Sequence, residues 1–488
     1  MTETPFLITV GYLAVALAIG LYARHGHSMA RLEQWAVAGR SMGSVTLYLL
    51  IGAGSISAYT FMGAPGWAYS KGVPVFYVVV YLSYLALVAW YVGPKVWRLG
   101  NAFGHVTQAS AIRDRYQSAG LGALAALVMS IGTLSYAVLQ TIGAAYILNV
   151  FSGGALPVSA AVWLVLGVMA IYLVVSGQRA IGLTNAFQGG LMLIVAWWVG
   201  LWATHQFTGS WQFGAVFERF QRERPEYLTL PGADGSMSFS FWTTAIVVSM
   251  ISFMPPVWVQ WMSAKSAGAL RRSATWLPSY YVIILPMVVV GFIGVWALPE
   301  LSRADTVALE LALTSMPVWL AGLLGAGTLA AAMSSCEPFL HSTALTWAND
   351  VVKPMTGLSD GATARLARGL LIVIMAGIVA PVAITEPSNL VMILLVGLGF
   401  AAQVVPAFIG MFLWPRASTV GVLAGLLSGF VVTLLFTVIW RNPLDIHAGF
   451  WGLLLNLPVF VWVSLRTPPV AEEVIDRFER AMNPRHSR

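Results

Sequence analysis

Thirteen apolar stretches of about twenty residues or more succeed one another along this chain, each long enough to cross about 30 Å of hydrocarbon as a helix. They cover residues 5–23, 44–70, 73–97, 120–151, 155–175, 180–207, 239–262, 273–297, 316–348, 366–385, 389–414, 419–440 and 447–465. Backbone in lipid must satisfy its own hydrogen bonds, so runs of this length predict an all-α polytopic membrane protein. Composition agrees: 58% of residues are hydrophobic, 9% are charged, and the mean hydropathy is +0.78, which excludes an ordinary soluble domain. With Cys336 as the single cysteine, no intrachain disulfide is available, and helix packing must hold the fold. The net charge of +7 comes from basic residues spread singly between the spans, a pattern that fits membrane loops better than a nucleic-acid surface.

The first span begins beside Glu3 and lacks the basic start and small-residue cleavage site of a secretory signal, so it is expected to remain as a helix. Lys and Arg in alternate connections divide twenty against six. That asymmetry predicts an N-terminus outside and residues 466–488 as a cytoplasmic tail. Eighteen of the nineteen acidic residues fall in loops or tails by this assignment, and Glu337 is the exception. Glu337 reads either as an acid held neutral or snorkelling to water, or as a direct ion or proton group.

Ala331, Ser334 and Ser335 share one face of the ninth span, and Pro338 follows within a turn. Pro338 has no amide hydrogen, so the Ser334 carbonyl is expected to lie free beside the two hydroxyls, a set of oxygens suited to a small hard cation. Two other spans carry breaks. The second reads IGAGSISAYTFMGAPG, where Gly52 and Gly54 predict unwinding, and the seventh reads SMISFMPPVWVQW, with Pro255 and Pro256 at mid-span. They lie five spans apart. Interrupted helices at matched positions of two inverted five-helix halves, 44–207 and 239–414, are the pattern of a transporter with its site at the breaks.

At this point the residues resemble a family, the sodium:solute symporters, which include sodium/proline, sodium/glucose and sodium/pantothenate carriers. AGRSMGS at 38–44 resembles the family's GGRSLG segment, AAAMSS at 330–335 its AAxMST segment, and ANDVVK at 348–353 its Asp-aromatic-Lys helix end. The most specific stretch is GFAAQVVPAFIGMFLWPRASTVGVLAGLLSG at 399–429. The resemblance implies a five-plus-five inverted-repeat core with one extra N-terminal helix and two extra C-terminal helices at 419–465. It also implies Na+ as coupling ion, no other cofactor, and a sodium site built from Ala53, Ile56, Ala331, Ser334 and Ser335.

Two departures stand out. Where many relatives have Thr-Asp in the sixth span this chain has Thr184-Asn185, and where some have serine one turn after the serine pair it has Glu337. Glu337 with Asn185 and Thr184 is therefore read as a second cation or proton site, with His341 as a partner for the acid. By fold analogy the solute is expected near Ser55, Ser57, Tyr136, Gln140, Met254, Trp258 and Gln403. No basic residue lies within a span to grip a carboxylate, but the amide-rich end of a broken helix is able to do so. SAYTFMGAPGWAYSKG resembles the monocarboxylate-carrying branch, so a small organic acid is the expected solute, with an amino acid or vitamin as the alternative. An enzyme is disfavoured by the lack of any recognisable nucleophile, phosphate-loop or metal spacing. A symporter-like sensor is disfavoured because about twenty residues follow the last span. A channel differs in prediction only by failing to accumulate solute. Oligomeric state is not legible.

Overall fold

In the computed structural model the described residues are 3–233, 239–385 and 390–483. Among them, twelve helices are long and apolar enough to span a membrane, and a pair bent by 58° makes a thirteenth span. They are α1 (Glu3–Tyr22), the bent pair α2 (Ser44–Ser55) and α3 (Tyr59–Lys71), α4 (Val73–Tyr91), α5 (Ala119–Phe151), α6 (Val158–Ser176) and α7 (Gln178–Thr208). The second half continues with α8 (Phe241–Met262), α9 (Ala267–Ala297), α10 (Val318–Thr356), α11 (Asp360–Ile384), α12 (Ile393–Leu413), α13 (Thr419–Val438) and α14 (Ala448–Arg466). Residue 389, expected to open the eleventh span, lies outside the described residues. Serine caps start several helices, Ser118 accepting from the Leu121 amide at 3.2 Å before α5 and Ser266 from Ala269 at 3.0 Å before α9.

Small side chains decide which helix occupies the centre. In α10, 83% of the most apolar stretch is buried, against 33% in α1 and in α14. Its glycines let neighbours approach closely: a Cβ on Gly325 would fall 2.6 Å from the Thr9 hydroxyl, and one on Gly327 would fall 3.0 Å from Val195. α1, α5 and α7 all pack against it. Asp350, expected in a loop, is instead buried at the end of this helix, where its Oδ1 accepts from Ser110 at 2.7 Å and Asn349 at 3.0 Å. Glu337 is thus not the sole buried acid. The loop prediction failed because α10 extends past residue 348 through a wider helical turn at Trp347–Val352.

The arginine-rich end is closed by loops from both halves. Met42 and Ala264 form an isolated parallel bridge, with Met42 N donating to Ser263 O at 3.0 Å and Lys265 N to Met42 O at 2.8 Å. Arg40, from the AGRS segment, donates to Glu33 at 2.8 Å, the His105 carbonyl at 2.8 Å and the Met262 carbonyl at 3.3 Å. Beyond α14 the described part of the tail is not merely a tail. Glu472–Met482 is an amphipathic helix that buries Val474, Phe478 and Met482, stacks Phe478 on Phe103 at 4.8 Å, and takes an Arg98 hydrogen bond of 2.8 Å on the Met482 carbonyl. Residues 484–488 of the predicted tail lie outside the described residues.

Candidate functional site

Both expected breaks exist, the second at its paired prolines and the first for a local reason other than glycine unwinding. α2 stays helical through Gly52 and Gly54 and ends at Ser55, after which Ile56 turns extended at φ −98°, ψ 120°. The glycines instead make room: a Cβ on Gly52 would sit 2.7 Å from the Tyr280 ring, and one on Gly54 2.9 Å from the Gln260 amide nitrogen. In α8 the interruption falls at Met254, extended at φ −75°, ψ 151°, directly before Pro255. Neither Pro255 nor Pro256 can donate to the preceding turn, so the regular ladder stops there.

The first break meets α10 at its serine pair. Ser334 Oγ lies 3.1 Å from the Ala53 carbonyl and 3.1 Å from the Ala331 carbonyl. Ser335 Oγ lies 3.0 Å from Ile56 O, 3.2 Å from Ala331 O and 3.5 Å from Gly54 O. All five oxygen-bearing residues expected to form an ion site are therefore together, and Gly54 adds a carbonyl that the sequence did not single out. Two hydroxyl protons face four carbonyl oxygens. Such a cluster is rich in lone pairs and short of donors, which is the chemistry of a small hard cation's ligand set.

Behind this cluster the Ser334 carbonyl is not free. Pro338 does leave it without its helical partner, but the side-chain amide of Asn185 donates to it at 3.0 Å. Asn185 therefore does not donate to Glu337, and its Oδ1 has no partner. Glu337 is fully buried and accepts from Thr184 at 2.8 Å, from Gln188 at 3.3 Å and from the Tyr172 hydroxyl. Gln188 also donates to the Tyr12 hydroxyl at 2.7 Å. No salt bridge to this carboxylate occurs among the described residues. His341, expected as its partner, points away: its Nε2 contacts the Trp35 carbonyl at 3.2 Å and its ring lies 4.3 Å from that of Trp35. One helical turn separates His341 from Glu337, but Trp35 captures the imidazole.

The expected solute residues divide. Ser57 and Gln140 satisfy the amides where α3 starts, Gln140 Oε1 accepting from Ala58 N and Ser57 Oγ from Tyr59 N, both at 3.2 Å. Ser55 donates to Ile51 O at 2.6 Å and receives Tyr281 OH at 3.4 Å. Tyr136 stacks on Phe339 with centroids 4.1 Å apart. Met254 touches α5 one turn away, where a Cβ on Gly132 would meet its methyl at 2.9 Å. Trp258 is buried against Phe408, centroids 4.9 Å apart, with its indole N–H unpartnered. Gln403 is a correction. Its amide donates to the Gly399 and Gly449 carbonyls at 3.0 and 2.9 Å and its oxygen accepts from Asn456 at 3.3 Å, so it fastens α12 to α14 and does not join the others. Phe339, Tyr172 and Tyr12 were not legible beforehand, because aromatic residues in an apolar helix carry no signal of which neighbour they will meet.

Comparison with known proteins bears on the family and the fold. The family model described as sodium:solute symporter family matches residues 35–429. The chain is 27% identical to an uncharacterized symporter, YhjB, of Bacillus subtilis, over 96% of this chain and 99% of that protein. It is 27% identical to the sodium/pantothenate symporter of Escherichia coli, covering 93% and 94%, and 24% identical to a monocarboxylate transport permease protein of Rhizobium johnstonii, covering 96% and 98%. A Na+-coupled sialic acid symporter in a substrate-bound outward-open state superposes with a TM-score of 0.81 at 17% identity, over 96% of this chain and 98% of that one.

Proposed function

The chain belongs to the sodium:solute symporter family, and from that premise we propose that it couples sodium entry at the first helix break to the uptake of a small monocarboxylate. Sodium-coupled symport itself follows from the family, as do the membrane location, a small-molecule solute and sodium as coupling ion. The five-plus-five inverted-repeat fold is shared with the sialic acid symporter.

The observation that carries the site assignment is the donor-poor oxygen cluster. Sodium would be held by the carbonyls of Ala53, Ile56 and Ala331 and the hydroxyls of Ser334 and Ser335, each hydroxyl proton turning away from the cation as the carbonyls turn to it. Tyr136 stacks on Phe339, one helical turn beyond Ser335, so a solute held beside Tyr136 would lie against the same stretch of α10 as the ion cluster. Ser55, Ser57, Gln140, Met254 and Trp258 complete the solute assignment. Glu337, with Thr184 and the unpartnered oxygen of Asn185, is proposed as a second cation or proton site; a buried carboxylate without a basic partner favours any cation entering beside it. The arginine-rich end is proposed as cytoplasmic, with the N-terminus outside.

A monocarboxylate is preferred because no Lys or Arg occupies the first break, so that a single carboxylate would have to replace Gln140 and Ser57 on the amides of Ala58 and Tyr59, and because a relative of similar length is named for monocarboxylate transport. The test is uptake by proteoliposomes from a panel of labelled monocarboxylates, amino acids and vitamins, with and without a sodium gradient. Sodium-driven accumulation of a monocarboxylate is expected. Accumulation of proline or pantothenate alone would replace the solute assignment, and the absence of any sodium-dependent uptake would remove the ion-site reading.

A further inference from the structure

We propose that Gln108 is the latch that holds the broken helix α8 closed at the arginine-rich end, and that its release accompanies opening of the solute path toward that side. The proposal rests on the carrier reading above, and its test reads accessibility, which needs no solute.

The break in α8 strands the Phe253 carbonyl. A helical carbonyl at Phe253 would be met by the amide three or four residues on; Pro256 has none, and Val257 N donates instead to Met254 O at 3.1 Å. A buried carbonyl needs a partner, and here it is the side-chain amide of Gln108, itself buried. Gln108 opens the helix Gln108–Arg115, which lies between α4 and α5 in the chain and is capped by Thr107.

That short helix is fixed firmly on its other sides. Ser110 donates to Asp350 Oδ1 at 2.7 Å and accepts from Asn349 at 2.9 Å, both at the end of α10. Just past the helix, Tyr116 OH donates to Ala407 O of α12 at 2.6 Å, and Thr419 of α13 donates to Tyr116 O at 2.7 Å. The helix is thus a wedge anchored to α10, α12 and α13, and Gln108 is its hydrogen bond to α8. An amide-to-carbonyl bond leaves no buried charge when it breaks, and the freed carbonyl is then open to water or solute. The neighbouring Met42–Ser263 and Arg40–Met262 contacts close the same end of α8.

The test places a reporter cysteine at Ser252, which is fully buried next to Phe253, in the reconstituted full chain. Its reaction with a membrane-impermeant methanethiosulfonate is followed from each face, and the parent chain, whose Cys336 is buried, gives the background. Gln108→Met keeps length and loses the amide. It is expected to speed labelling from the arginine-rich face at least about threefold, with no change from the opposite face, as a latch loss shifts the population toward the open form. It should also lower the maximal rate of sodium-driven uptake more than it changes the solute KM. Equal labelling in a monodisperse variant, or an equal rise from both faces, overturns the proposal. Should Gln108→Met not fold, Ser110→Ala, which loosens the wedge at α10, is expected to give a smaller rise from the same face only, and unchanged labelling there overturns the proposal as well. Sodium-driven uptake by the parent chain in the same vesicles reports separately on the carrier reading.

Discussion

The two broken helices expose backbone oxygen in different ways. At the first, α2 and α3 diverge by 58° without a proline between them, and the freed carbonyls are met by hydroxyls. At the second, paired prolines interrupt a helix that keeps its direction closely enough to count as one span, and the Phe253 carbonyl is met by an amide. A hydroxyl can rotate its proton away and present a lone pair to a cation; an amide nitrogen cannot. On the assignments proposed above, one break exchanges an internal hydrogen bond for an ion, and the other is held or released as a mechanical element.

The strongest way to break this distinction is to remove the exchangeable donor. Ser335→Ala deletes the hydroxyl that meets the Gly54, Ile56 and Ala331 carbonyls. Apparent sodium affinity should fall roughly 10- to 100-fold, a loss of about 1.4–2.8 kcal/mol, read from the sodium dependence of uptake. A change of less than about twofold would mean that the first break is as mechanical as the second. Glu337→Gln sharpens the same point. It keeps the side-chain volume but removes the negative charge behind Ser334, so charge moved per solute should drop by one, with about a tenfold loss in sodium affinity. Unchanged current-to-flux ratios would confine Glu337 to a packing role.

Glycine at the first break gives a smaller and more local contrast. An alanine at Gly52 would press its Cβ into the Tyr280 ring at 2.7 Å, and that ring is held by its hydroxyl on the Gly189 carbonyl at 3.1 Å. Gly52→Ala should destabilise the folded carrier by about 1–3 kcal/mol, visible as a lower melting temperature in detergent. Gly54→Ala meets only the flexible end of Gln260, and the gain in helix propensity should leave it close to neutral. If the two variants melt alike, close approach is not why α2 carries glycine.

Most of the fold was legible because apolar length is a property of consecutive residues. The serine pair was legible for the same reason: adjacent positions on one helix fix which hydroxyls share a face. What failed depended on partners remote in sequence. Gly52 and Gly54 read as helix breakers, but the Tyr280 ring and the Gln260 amide, more than two hundred residues away, gave them another use. Gln403 read as a polar group near the breaks until Gly449 and Asn456 claimed it. Asn185 fills the donor gap that Pro338 creates, an answer that no pattern in either helix announces. Gln108 sits in a connection with no periodicity to mark it. The terminal helix, in contrast, was readable: Val474, Phe478 and Met482 recur every four residues, and only the prior expectation of a tail concealed it.

The second break depends on that connection being rigid, which gives a last and smaller test. Asp114, on the helix that carries Gln108, is bonded by His105 at 2.7 Å and Arg113 at 2.7 Å. Partial burial pushes its carboxyl upward, but these two partners outweigh burial and hold it at about 2, below its ordinary 3.8. A carboxyl lowered on folding stabilises the folded state above its unfolded value and stops doing so as pH falls through its folded value. After discounting for solvent screening, Asp114→Asn should cost about 1 kcal/mol near neutral pH. The deficit relative to the parent should shrink between pH 4 and pH 2 and vanish below, followed by thermal unfolding across that range. Reporter labelling at Ser252→Cys from the arginine-rich face should rise slightly in the same variant, because a looser connection holds Gln108 less well. A deficit that persists unchanged at pH 2 would show that Asp114 acts through shape and not through charge, and would detach it from the latch.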